Sequence, residues 1–338
     1  MINERPTLTI VSNADEKFFP GLAVAVTSAV AAASGKYNYD FIILDGGLKR
    51  SDLSKLESQI NQLAAVKNIS VGIEYLEITE SQLKLFPERR GSRMTYAKLV
   101  LPQLLSRLDS IIYLDADVLC FKGIESVHPP DGDKHWLLAG ARDFFGTLEK
   151  DCPWLAKVSL TERSSPYINC GVLWMNLKGL REMNFTDESI KALSEISVAR
   201  YGDQTVFNYL CRGKSFILLP AINHRTAIGS SRTLCDGNLD LNIHYIGSPK
   251  PWLGGPKTSN WLAHQLWHQA SKIFFSGIQT DMSSSRPHDF ISIQRKARLY
   301  SLINPRRAEH YQIDLRSLRD SGSVIAKAEA HWNCINAR

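Results

Sequence analysis

Through the first 114 residues, short apolar runs rich in β-branched side chains alternate with segments of helical periodicity. Residues 8–11, 41–44 and 111–114 read as strands, and 20–33 and 51–66 as helices. Residues 71–78 alternate apolar and polar side chains, as a strand with one covered face does. Apolar groups at Met94, Ala97, Leu101, Leu104, Leu105 and Leu108 predict an amphipathic helix over 94–108, which Pro102 kinks or divides. The run Ile111-Ile112-Tyr113-Leu114 is wholly apolar, which places it at the centre of a sheet. A β-α-β-α order of this kind predicts an α/β fold with a mainly parallel sheet covered by helices.

The second half is less regular. Strands are expected at 136–141, 172–175, 216–219 and 243–246, and a helix over 203–212 with Asp203 positioned to cap it. A last amphipathic helix covers 260–275. A polar stretch with Ser283–Arg286 and Pro287 then reads as a hinge. The expected division is one domain over 1–275 and an appended basic helical extension over 276–338.

Composition excludes several classes. With 44% hydrophobic and 22% charged residues, 338 residues suffice for a large buried core, against disorder, a collagen-like chain or a disulfide scaffold. Six scattered cysteines with no Cys-x-x-Cys spacing read as reduced, mostly buried thiols of a cytoplasmic protein. The first residues lack the pattern of a signal peptide. The apolar run 22–33 is too short to cross a bilayer and contains Thr27 and Ser28. Net charge is +6, but residues 286–338 hold ten basic and five acidic side chains, so this stretch carries +5 and the remainder +1. Tyr300, Leu302, Ile303 and Tyr311 lie among those basic residues. That mixture fits peripheral contact with an anionic inner-membrane surface, and equally a solvated helical cap. It contains no groove-reading or stacking motif for nucleic acid, so no nucleic-acid partner is expected.

The apolar strand 111–114 runs into Asp115-Ala116-Asp117. In an open α/β sheet, ligands bind outside the C-terminal ends of the strands. Two carboxylates there repel each other, and a hard divalent cation relieves the repulsion. The alternative is a turn whose acids face water. The same string also fits a haloacid-dehalogenase-type phosphatase, with Asp115 as nucleophile and Asp117 as general acid. In that class the pair usually ends the first strand, whereas here two or three β-α units precede it.

Three further stretches follow in order: Ile168-Asn169-Cys170-Gly171-Val172, Gly202-Asp203-Gln204-Thr205-Val206-Phe207-Asn208, and His244-Tyr245-Ile246-Gly247-Ser248-Pro249-Lys250-Pro251-Trp252. With Tyr113-Leu114-Asp115-Ala116-Asp117 they resemble family 8 of the retaining glycosyltransferases, which includes glycogenin and bacterial lipopolysaccharide galactosyl- and glucosyltransferases. The resemblance runs from about residue 8 to 267, and more loosely into the tail. It implies a GT-A (nucleotide-diphospho-sugar transferase) fold: a Rossmann-like mixed sheet flanked by helices, with a small helical C-terminal extension. It also implies transfer of a hexose, galactose or glucose, from a UDP-sugar to a glycan acceptor such as lipopolysaccharide core.

Residue by residue, the resemblance implies metal ligation by Asp115, Asp117 and His244. A ligand set of two carboxylates and an imidazole suits Mn²⁺ somewhat better than Mg²⁺. Lys250 and the Gly247 amide would meet the diphosphate, and Asn13, Ala14, Asp15 and Lys17 the uridine, with Asp15 accepting from the uracil ring. Lys98, Asn169, Gly171, Asp203 and Gln204 fall on the donor-sugar side. Lys98 stands where relatives often carry arginine, and Lys17 where they often carry asparagine. Arg93 would add positive charge near the diphosphate, and Asp143 lies on the sugar or acceptor side. Gln204, Asp203 and Lys98 are the expected catalytic residues, with Gln204 near the β face of the anomeric carbon in a front-face displacement. Outside the family context, His244 reads as a structural histidine, Lys98 as a solvated helix residue, Asp203 as a helix cap, and Arg89, Arg90 and Arg93 as a solvated loop. A non-catalytic sugar-nucleotide binder is the remaining alternative.

Overall fold

The structure is a computed structural model that describes residues 5–89, 92–127, 136–151, 160–195, 201–226, 234, 236, 239–253, 261–275 and 290–336. Strands β1 (Thr7–Ala14), β2 (Asn38–Asp45), β3 (Val71–Glu77), β4 (Ser110–Leu114), β6 (Leu138–Thr147), β7 (Pro166–Asn176) and β8 (Ser215–Leu218) form one sheet, in the order β3-β2-β1-β4-β7-β6-β8. β4 is thus the central strand, as its unbroken apolar run predicts, and four of its five residues are buried.

The sheet is mixed. β3, β2, β1 and β4 are parallel, but β7 runs antiparallel to both β4 and β6. An apolar run reports burial and carries no record of strand direction, which is why the sequence alone gives a mainly parallel sheet. β7 is also much longer than the predicted 172–175. Leu114 pairs with Val172, so residues 166–171 overshoot the end of β4 and carry Asn169 to Gly171 into the crevice beyond it.

A second, three-stranded sheet has the order β5 (Val118–Cys120), β10 (Asn242–His244) and β9 (His224–Arg225). Helix Phe19–Ala31 begins with Pro20 in its first turn and buries nearly every residue against the sheet, β5 and helices Arg50–Lys67 and Trp261–Phe274. Pro102 divides the expected 94–108 helix: Met94–Val100 is a 3₁₀ helix and Leu101–Leu104 a short α-helix.

In the C-terminal segment, helices Phe290–Ile303 and Pro305–Asn336 pack together, and Tyr300 stacks on Tyr311 at 5.4 Å. Val324, Ala328 and Trp332 are buried; the Trp332 ring lies 4.8 Å from Phe121 and 5.7 Å from Phe274. The long helix is therefore docked on the body of the protein. Leu299, Leu302 and Ile303 face solvent. Among the described residues, no helix is long and apolar enough to cross a membrane. Cys120, Cys170 and Cys211 are buried free thiols. Cys152, Cys235, the Cys334 side chain and the expected hinge lie outside the described residues.

Candidate active site

Two short connections build the acidic cluster. Beyond the end of β4, the Asp115 amide donates to Gly171 O at 2.7 Å, and the chain turns through Asp117 into β5. β10 pairs antiparallel with β5 and sets His244 opposite Val118. One ligand atom each from Asp115, Asp117 and His244 then lie within 4.8 Å of one another. His244 Nε2 is 3.1 Å from Asp117 Oδ1 and 3.8 Å from Asp115 Oδ2.

The other side of the ring settles its tautomer. His244 Nδ1 lies 3.0 Å from both Asn169 Oδ1 and Asn223 Oδ1. Both are acceptors, so the proton sits on Nδ1 and the Nε2 lone pair faces the carboxylates. Asp117 Oδ1, although buried, accepts no hydrogen bond. Converging lone pairs, one of them orphaned, form a donor set that could hold a divalent cation. Residue 171 must be glycine here: a Cβ on it would stand 2.2 Å from His244 Cε1.

Two lysines compensate the acids. Lys98 is buried, with Nζ 3.1 Å from Asp115 Oδ1, 3.0 Å from Asp203 Oδ2 and 4.5 Å from the Tyr113 ring centroid. This excludes the solvated-helix reading of Lys98. Burial opposes its charge, but Asp115 and Asp203 outweigh burial and hold it firmly protonated. Lys250 is likewise buried and pairs with Asp117. Burial acts to raise the Asp117 pKa, but the Lys250 ammonium prevails and holds it below the usual carboxylate range. For Asp115, burial leads; with Asp117 nearby it raises the carboxyl's pKa despite Lys98.

A second network lies beside the cluster. Gln204 Oε1 accepts from Asn169 Nδ2 at 3.0 Å and from the Cys170 amide at 3.1 Å. Asn169 Nδ2 also donates to Asp143 Oδ2 at 2.9 Å. Register shifts in β6 around Arg142 turn the Asp143 side chain inward, where Arg225 Nη1 meets it at 3.2 Å. Asp203 does not cap its helix. Gly202 is the N-cap of helix Asp203–Leu210, with φ of +61°, and Asp203 enters at the first helical position with its carboxylate on Lys98 and on the Thr95 hydroxyl, 3.2 Å away. The buried lysine outcompetes the helix's own amide groups for that carboxylate.

The loop after β1 approaches from the other side. Asn13 Nδ2 donates to Met94 O, and the Tyr113 hydroxyl contacts both Asn13 Oδ1 and Asp115 Oδ1. Asp15 Oδ1 accepts from the Phe18 amide, Ala14 is buried, and the Lys17 side chain is exposed. Lys17 contributes through its carbonyl, which accepts from Trp252 Nε1 at 2.8 Å. Gly247 adopts φ of +78° in the turn leading to Lys250. Arg93 is engaged elsewhere, with Nε on Phe86 O and Nη1 on Glu80.

Sequence reasoning missed Asn223, Arg225 and Thr95, and assigned no role to Tyr113 or Trp252 although both stood in quoted motifs. Asn223 and Arg225 belong to no motif; only their position between the 203–208 and 244–252 stretches hinted at the site.

Residues 9–254 match the model of glycosyl transferase family 8. The chain is 29% identical over 275 residues to a lipopolysaccharide 1,2-glucosyltransferase of Escherichia coli K12, covering 74% of each chain. It is 24% identical over 253 residues to a lipopolysaccharide 1,3-galactosyltransferase of Salmonella typhimurium, covering 70% of this chain and 71% of that one. Among solved structures, the galactosyltransferase LgtC in complex with donor and acceptor sugar analogues superposes with a TM-score of 0.62. It is 22% identical, and the match covers 84% of this chain and 99% of LgtC. The mixed seven-stranded sheet flanked by helices is the GT-A fold. On the match across most of its length, the chain belongs to glycosyl transferase family 8.

Proposed function

We propose that this protein is a retaining hexosyltransferase that moves galactose or glucose from a UDP-sugar to a glycan acceptor, lipopolysaccharide core or another surface glycan. The observation that carries this reading is the cluster of Asp115, Asp117 and His244, set between Lys98 and Lys250 at the C-terminal end of the central strand. Asp115, Asp117 and His244 would hold a divalent ion, Mn²⁺ before Mg²⁺ on the mixed ligand set. Such an ion, when bound, neutralises charge on a diphosphate leaving group.

The chain's own residues supply the rest. Lys250, which pairs with Asp117, would turn to a diphosphate oxygen. The Gly247 turn brings backbone close to the same group. Asn13, Ala14, Asp15 and Lys17 hold the uridine, through backbone as well as side chains. Asp203 and Lys98 orient sugar hydroxyls. Gln204, fixed by Asn169 and the Cys170 amide, presents its amide to the anomeric carbon and stabilises positive charge as the acceptor attacks from the face the diphosphate leaves. Gln204→Ala should lower turnover by about 10²-fold or more, as loss of a preorganised transition-state contact does. Near-normal turnover removes Gln204 from the mechanism.

Residues 1–275 constitute the catalytic domain in this reading and 276–338 its extension. Exposed Leu299, Leu302 and Ile303 beside exposed Arg295, Lys296 and Arg298 support contact with an anionic bilayer, where each basic residue contributes about 1 kcal/mol. Deleting the tail would uncover Phe121 and Phe274, so substitution is the cleaner test. Leu302→Asp with Ile303→Asp should abolish sedimentation with phosphatidylglycerol vesicles and spare donor hydrolysis. Undiminished sedimentation removes the membrane role.

A further inference from the structure

Helix Asp203–Leu210 and the overshooting part of β7 are joined by two carboxamides one helical turn apart. Gln204 Oε1 accepts from the Cys170 amide at 3.1 Å. Asn208, only 3% exposed, engages both backbone groups of Ile168. The Ile168 amide donates to Asn208 Oδ1 at 2.7 Å, and Asn208 Nδ2 donates to Ile168 O at 2.8 Å. Nδ2 also donates to Gln204 O at 2.9 Å, so the same amide grips the turn of helix that carries Gln204.

We infer that Asn208 is a positioning residue: by pairing with Ile168 as a neighbouring strand would, it sets the place of Gln204 along β7 and so aims the Gln204 amide. The inference rests on the reading of Gln204 as the group that faces the anomeric carbon.

The arrangement follows from two repeats that nearly match. Four residues of α-helix rise about 6 Å, and two residues of strand advance about 6.7 Å. Residues 204 and 208 can therefore meet residues 170 and 168 as two successive rungs beside the strand. A carboxamide suits such a rung because it carries a donor and an acceptor side by side, as a peptide group does. The shorter asparagine makes the rigid rung, and the longer glutamine reaches over Asn169 and Cys170. Without the Asn208 amide, the buried Ile168 N–H loses its acceptor and the helix is freed to slide along β7. A misplacement of about 1 Å costs on the order of 10²-fold in rate. Thr205, whose hydroxyl donates to Asp151, still anchors the same turn, so the loss is partial.

The test is a double-substitution cycle on the full chain: the parent, Asn208→Ala, Gln204→Ala and both together. UDP release from UDP-galactose and UDP-glucose with Mn²⁺ gives kcat, and isothermal titration gives UDP affinity with Mn²⁺ present. Asn208→Ala should lower kcat about 10-fold and leave UDP affinity within about twofold of the parent. In the Gln204→Ala background the same change should cost less than about twofold, since a residue acting through Gln204 has nothing left to position. If Asn208→Ala does not fold, Asn208→Ser, which keeps an acceptor oxygen at the site, replaces it with the same expectation. Equal losses in the two backgrounds, UDP affinity falling in step with kcat, or an unchanged kcat each overturn the inference while leaving the Gln204 reading intact. Near-normal release by Gln204→Ala, or no release by the parent, overturns both.

Discussion

Gly171 and His244 are in direct contact, and a side chain on residue 171 has nowhere to go: its Cβ would lie 2.2 Å from His244 Cε1 and 2.4 Å from Nδ1. The glycine that reads from sequence as a sugar-side residue is the seat of the imidazole. Gly171→Ala should therefore push the ring out of the cluster and weaken Mn²⁺ binding on the order of 10–100-fold, comparable to loss of a supporting partner. Isothermal titration with Mn²⁺ and UDP checks this, and unchanged affinity would show that the ring has room to move.

Lys98 binds two carboxylates that belong to different motifs, half-buried Asp115 and buried Asp203. Lys98→Met leaves both acids without their cation, which costs about 3–5 kcal/mol in comparable buried pairs. Lys98→Arg keeps the charge and should recover much of it. Urea denaturation of the three proteins measures the difference, and a methionine variant as stable as the parent would contradict this account of the network.

Trp252 ties the loop carrying Lys250 to the loop carrying Asp15. Its Nε1 donates to Lys17 O, and its ring fills the space left by Gly21, where a Cβ would meet it at 2.3 Å. Trp252→Phe removes the hydrogen bond but keeps most of the ring. Stability should fall by about 1 kcal/mol, the net worth of one such bond, and the KM for the sugar nucleotide should rise more than kcat falls. An equal drop in kcat with KM unchanged would place Trp252 in the chemical step.

His264 and His268, one helical turn apart on Trp261–Phe274, are both buried and both pushed down to about 4. Burial is the main cause in each, with added repulsion from His268 and Lys250 on His264 and from Lys272 on His268. The folded state holds them neutral while the unfolded chain protonates them near pH 6.5. Their contribution to stability is therefore complete above pH 6.5 and lost as pH falls toward 4, at up to about 1.4 kcal/mol per pH unit for each. Denaturation at pH 7, 5.5 and 4.5 should show this slope, and the double substitution to Gln should flatten it.

Much of the scaffold was legible because burial leaves a pattern. The run 111–114 marked the central strand, and Pro102 marked a helix break. Direction was not legible, since β7 looks the same from sequence whichever way it runs. Nor was its overshoot, because Asn169 is too polar to read as strand and is held there by its amide contacts. The acidic pair, His244 and Lys250 were visible as side chains of suitable chemistry at telling spacings. Asn223 and Arg225 were not, because a four-residue 3₁₀ turn and a two-residue strand have no periodicity and their contacts are with partners distant in sequence. Asp203 was misread as a cap because a local rule favoured it, while the competing Lys98 lies 105 residues away in the chain.

The central claim is that the Asp115, Asp117 and His244 cluster supports cleavage of a UDP-sugar. Its most direct test is release of UDP from UDP-galactose and UDP-glucose, with Mn²⁺ or with EDTA, by the parent and by Asp117→Asn. The account predicts release from one of these donors that needs Mn²⁺, falls with Asp117→Asn, and has no counterpart with p-nitrophenyl phosphate. Mn²⁺-independent release, or Asp115-dependent hydrolysis of the simple phosphate ester with neither sugar nucleotide cleaved, would contradict it.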